Sequence, residues 1–105
     1  MELVGVAASS GKVTGKARVV LGQTDLKKVE NGEILVCKQT DPSFITALVK
    51  AKGIVTEIGG VTAHAAIVAR ELGIPCVIQI QKATEVIKNG KLLLVDGDAG
   101  KVTVY

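Results

Sequence analysis

Aromatic side chains are almost missing from this 105-residue sequence: Phe44 and Tyr105 are the only two, and there is no tryptophan. That removes the stacking platform on which single-stranded nucleic acid is bound. Charge of one sign is never concentrated. Thirteen basic and ten acidic residues are scattered along the chain for a net +3, which lacks the basic stripe that nucleic-acid backbones select. No apolar run approaches the roughly eighteen residues of a membrane span, and no signal-peptide pattern is present. Cys37 and Cys76 form no C-x-x-C pair, and one histidine cannot complete a zinc site with them. Both lie in apolar runs and read as buried, reduced thiols, which suits a cytoplasmic protein with no membrane or nucleic-acid partner.

What the sequence does contain is aliphatic. Hydrophobic residues make up 48%, nearly all of them Val, Ile, Leu and Ala, which suit buried strands and close helix–sheet contacts. The length points to one domain over residues 1–105. Gly5 to Gly15 reads as turns between short extended pieces, and Lys16–Leu21 as a strand. A helical turn is expected near Asp25–Val29, and a strand over Glu33–Lys38. Asp41-Pro42 predicts an N-cap and a first helical residue, with Ile45, Leu48 and Val49 at helical spacing and Gly53 as the stop. Ile54-Val55-Thr56 is a short buried strand. Thr62 caps a second helix to about Leu72, ended by Gly73 and Pro75. Cys76–Ile80, Leu92–Val95 and Lys101–Tyr105 complete the strands, with a short helix near Lys82–Lys88. Strands alternating with two main helices predict an α/β domain with parallel pairing, and the strand-rich ends predict a second, antiparallel layer.

One segment carries chemistry. In Thr56-Glu57-Ile58-Gly59-Gly60-Val61-Thr62-Ala63-His64 a strand ends, two glycines turn the chain, and a helix begins. His64, the only histidine, therefore falls in a first helical turn. The free amides and dipole there favour an anion by about 0.3–1 kcal/mol. The same positive end should disfavour imidazolium, and neutral imidazole is the nucleophilic form. Gly59, Gly60, Ala63, Ala65 and Ala66 keep the surroundings small. A nucleophilic imidazole beside an anion cradle is what accepting a phosphoryl group requires. Gly59, Gly60, Thr62 and Ala63 are the candidate phosphate-binding residues. The phosphate loop G-x-x-x-x-G-K-[ST] is absent.

The run from Gly59 to Pro75, GGVTAHAAIVARELGIP, closely resembles the signature of the phosphohistidine, or swivelling, domain of PEP-utilising enzymes. Thr40-Asp41-Pro42, Gly53-Ile54-Val55-Thr56, Ala83-Thr84 and Asp96-Gly97 with Gly100 resemble the flanking patterns, so the likeness covers almost the whole chain. It implies a swivelling β/β/α fold and a phosphoryl carrier with His64 as the residue that is transiently phosphorylated. The carrier would move between an ATP-binding domain and a PEP/pyruvate domain, in a phosphoenolpyruvate synthase or pyruvate phosphate dikinase type of system. Magnesium, ATP and PEP are then expected on those partner domains or subunits and no cofactor on this one. The chain alone is then one half-reaction of a phosphotransferase, not a complete enzyme. Thr62 falls where the dikinases carry a threonine open to regulatory phosphorylation. Arg70, six residues after His64, lies about 240° away around a helix. It reads as a structural or docking charge, with Glu57, Glu71 or Asp96 as partners. Gln79 stands where many relatives place a glycine. The competing expectation is a non-catalytic, anion-sensing module on the same fold.

Overall fold

Short β-branched runs separated by small residues build strands too brief to stand alone, so each is stabilised by its neighbours in a sheet. The computed structural model describes every residue from Met1 to Tyr105. Its strands are β1 (Glu2–Val4), β2 (Val6–Ser9), β3 (Lys12–Val20), β4 (Ile34–Cys37), β5 (Gly53–Thr56), β6 (Cys76–Ile78), β7 (Leu92–Asp96) and β8 (Lys101–Val104). The helices are α1 (Ile45–Leu48), α2 (His64–Leu72) and α3 (Ala83–Val86), with 3-10 turns at Gln23–Lys28 and Pro42–Phe44.

The strands run in the order β1-β8-β7-β3-β4-β5-β6-β2. The long strand β3 belongs to two layers. Its first half, Lys12–Lys16, pairs antiparallel with β7, and its second half, Ala17–Val20, pairs parallel with β4. β4, β5 and β6 continue in parallel, while β7, β8 and β1 are antiparallel. The expected second, antiparallel layer is present, joined to the first through one strand.

Period-two alternation then divides the core. Leu35, Cys37, Ile54, Cys76 and Ile78 face the helices, packed with Phe44, Leu48, Ala66 and Ala69. Ile34, Val36, Val55 and Val77 face the other way, against Leu93, Val95 and Val102 of the antiparallel layer. The result is a β/β/α stack of three layers. Every residue of β4, β5 and β6 is buried, as parallel strands covered on both faces must be. Cys37 and Cys76 are buried and free, and burial pushes both thiols up to about 12.

Two glycines have another cause than the one expected. Gly15 lies inside β3, where an added Cβ would come 2.9 Å from the Gly32 carbonyl oxygen. Gly53 opens β5 instead of stopping a helix, and its Cβ would meet Ile34 Cδ1 at 2.9 Å. Both are sites of close packing, so β3 is longer than the sequence suggested. The helical start at Asp41 is as read: its carboxylate accepts from the Ser43 amide at 2.8 Å, with Pro42 following.

Candidate functional site

β4 and β5 are parallel neighbours, so the loops that follow them emerge at the same edge of the sheet. In open α/β sheets this carboxyl edge is where ligands are met. The loop after β4 carries Thr40 and Asp41. The loop after β5 carries Glu57 to Ala63 and delivers the chain into α2.

The second loop turns tightly. Thr56 donates its hydroxyl to the Ile58 carbonyl at 2.9 Å, and the Ala63 amide donates to the Gly60 carbonyl at 3.0 Å. Gly59 adopts φ +122°, a backbone that a side chain would strain. α2 then starts at His64 with Ala63 as its N-cap and no side-chain cap. The expected Thr62 cap is therefore corrected. Thr62 is exposed one residue too early to cap. The helix start keeps its orphan donors in consequence. The amides of Gly60, Val61, Thr62, His64, Ala65 and Ala66 make no hydrogen bond within the chain. The Ala63 amide is committed to the turn.

His64 is half-buried, and its Nδ1 lies 2.7 Å from the Thr40 hydroxyl oxygen. Nε2 has no partner in the chain. Thr40, 8% exposed, is the site residue that sequence reasoning passed over. In the sequence it stands out only as part of Thr40-Asp41-Pro42. A hydroxyl at the carboxyl end of a buried parallel strand, beside the strand that leads to the histidine, is the signal that locates it. Asp41 follows directly. The Ser43 hydroxyl and amide hold its carboxyl below the usual range, and His64 nearby adds to the effect.

The remaining residues brace this frame. Arg70 meets none of the expected carboxylates, because its guanidinium turns back along α2 to the preceding loop. Nε donates to the Ala8 carbonyl at 2.9 Å, and a second nitrogen donates to the Val61 carbonyl. Glu57 accepts from the Thr84 amide at 2.8 Å and from its hydroxyl, so it anchors α3. Gln79 sits at φ +60°, which explains why a glycine would be at home there, and its side-chain amide donates to the Gly59 carbonyl at 3.0 Å. An open groove of about 530 Å³ runs behind this turn, lined by Val4, Glu57, Ile58, Gly59, Gln79 and Gln81. His64 does not line it, and Val61 and Ile67, three residues to either side of His64 in sequence, are exposed.

A three-layer β/β/α domain with one hydrogen-bonded imidazole at an uncapped helix start is the arrangement expected of the mobile domain of PEP-utilising enzymes. The comparison with known families agrees: residues 29–100 match the family described as PEP-utilising enzyme, mobile domain, and the chain belongs to it. It is 46% identical over 100 residues to a probable phosphoenolpyruvate synthase of Archaeoglobus fulgidus, covering 95% of this chain and 13% of that protein. It is 42% identical over 103 residues to rifampicin phosphotransferase of Bacillus subtilis, covering 98% of this chain and 12% of that one. The solution structure of an Enzyme I protein superimposes with a TM-score of 0.65 at 34% identity, over 75% of this chain and 33% of that chain. The chain thus spans about an eighth of the length of these curated relatives.

Proposed function

We propose that His64 accepts a phosphoryl group at Nε2 and passes it on, as the carrier part of a phosphoenolpyruvate synthase or dikinase type of phosphotransferase. The observation that carries this reading is the pairing of Nδ1 with the Thr40 hydroxyl at 2.7 Å, which leaves Nε2 free at an amide-rich helix start. With the proton on Nδ1, the ring donates to Thr40 Oγ1, and the lone pair stays on Nε2. That lone pair attacks phosphorus while the bond from phosphorus to the donor oxygen breaks, its electron pair leaving with the oxygen. On the return step an acceptor oxygen attacks, the P–N bond breaks, and the pair returns to Nε2. Free amides of the Gly59–Thr62 turn and the first turn of α2 offer hydrogen bonds to the phosphoryl oxygens. The rest of the charge stabilisation falls to the partners, which bring ATP, PEP and magnesium.

The partners are an ATP-binding and a PEP/pyruvate-binding domain or subunit. The length of the relatives supports further domains, since each is a much longer protein in which the matching part is a small share, and the name phosphoenolpyruvate synthase supports the PEP/pyruvate partner. Thr62 is a second modification point on this reading. Its exposed hydroxyl is spent on no cap. A phosphate there adds about −1.5 to −2 of charge beside the acceptor and blocks it.

The test is mass spectrometry after incubation with a PEP-utilising enzyme and PEP. An acid-labile adduct with the mass of PO₃, absent from His64→Ala, is expected. No adduct with several competent partners would favour the anion-sensing module instead.

A further inference from the structure

We propose that Arg70 is a positioning residue for phosphoryl transfer, clamping the loop that presents His64 to a bulge in the edge strand. The proposal rests on the carrier reading of His64.

The argument starts in β2. Val6 and Ala7 pair with Ile78 and Val77, but the register shifts before Ser9 meets Cys76. Ala8 is the extra residue of this bulge. A bulge frees backbone groups from the ladder and re-aims them. The Ala8 carbonyl, released in this way, takes the Arg70 Nε–H at 2.9 Å. The same guanidinium donates to the Val61 carbonyl, three residues before His64. One planar, always-charged fork thus bridges the sheet edge to the acceptor loop.

The consequence for chemistry follows from peptide geometry. In a trans peptide the carbonyl and the next amide point in opposite directions. Holding the Val61 carbonyl toward Arg70 turns the Thr62 amide away from it. Gln79 acts alike on Gly59, and so directs the Gly60 amide. The loop contains two glycines and would otherwise sample many conformations. Arg70 therefore fixes the donors offered to an incoming anion without touching it.

The test uses potassium phosphoramidate, a small phosphoryl donor that needs no partner protein. His64 is the only histidine, so the adduct has one origin. Arg70→Lys keeps the charge and loses the fork. The expected result is a folded variant phosphorylated about tenfold more slowly, since modest misplacement of a reacting group costs one to two orders of magnitude in rate. Arg70→Ala should be slower still, and millimolar methylguanidinium should restore much of its rate. A structural role alone would lower the melting temperature without guanidinium-dependent recovery of rate. Wild-type rates in both folded variants would overturn the inference while leaving the carrier reading intact. Absence of any acid-labile adduct in the wild-type chain would take both down.

Discussion

At the scale of the residue, the site depends on which ring nitrogen of His64 is held. Thr40→Val removes the hydroxyl and keeps the shape. Loss of one hydrogen bond costs roughly 0.5–1.5 kcal/mol of stability. The larger effect should be on the ring, because Nδ1 has no other hydrogen-bond partner in the chain. Nitrogen-15 spectra of the neutral imidazole should show one tautomer in the wild type and a mixture in Thr40→Val, with slower phosphorylation. An unchanged tautomer would show that Thr40 does not set it. Gln79 allows a second comparison. Its left-handed backbone, φ +60°, costs about 1 kcal/mol or more for a residue with a Cβ. Its bond to the Gly59 carbonyl returns a similar amount. Gln79→Gly removes both and should stay within about 1 kcal/mol of the wild type. Gln79→Ala loses the bond and keeps the strain, so urea unfolding should find it about 1 kcal/mol less stable.

At the scale of the element, what the sequence made legible was local, and what it hid was distant. Asp41-Pro42 announced its helical turn because cap and proline act within three residues. The glycines before His64 and Gly73 after Leu72 bounded α2 for the same reason. The Thr62 cap failed by one residue, because the turn closed by Ala63 onto Gly60 delays the helix. Thr40 was hidden because its contact with His64 spans 24 residues and exists only once β4 and β5 pair. Arg70 has a structural role as read, but its expected carboxylate partners are replaced by carbonyls, which no side-chain pattern displays. α3 is tied to a titrating group. It is four residues long, and the Glu57 carboxylate takes the Thr84 hydroxyl and amide at its start. Those two bonds, with the charge of Lys38, hold the carboxyl below its ordinary 4.5 against the opposing effect of burial. A carboxyl lowered in the folded state stabilises the fold above its unfolded value, and the contribution vanishes as pH falls through the lowered one. Melting temperature should therefore drop on acidification from about pH 5 to about pH 3, and less steeply in Glu57→Gln. Equal slopes would mean that the acid sensitivity lies in Glu33, Asp25 and Asp41, whose carboxyls are also lowered.

At the scale of the whole molecule, the first nine residues fasten both ends of the sheet. β1 closes on β8 at one edge, and β2 closes on β6 at the other. The chain passes from one layer to the other beside the β7–β8 turn. There the Gly97 amide donates to the Gly11 carbonyl at 2.7 Å, and the Gly5 amide to the Gly100 carbonyl at 2.8 Å. Gly97 is packed so closely that an added Cβ would lie 1.9 Å from the Ser9 carbonyl oxygen. No side-chain rotation relieves a contact with backbone, so Gly97→Ala must push the β2 end and the β7–β8 turn apart. Overpacking of this kind costs roughly 1–3 kcal/mol or more. For a domain of this size each kcal/mol moves the melting temperature by about 4–8 °C, so a fall of roughly 10 °C is expected. Gly22→Ala is the control, because a Cβ at Gly22 meets nothing within 4 Å. Because β3 is shared by both layers, the loss should appear as one cooperative transition at lower temperature. Amide exchange in β5, beside the acceptor loop, should accelerate together with exchange in β8. If β8 loosens while β5 keeps its protection, the layers unfold separately, and the turn at Gly97 does not couple the antiparallel layer to the edge that presents His64.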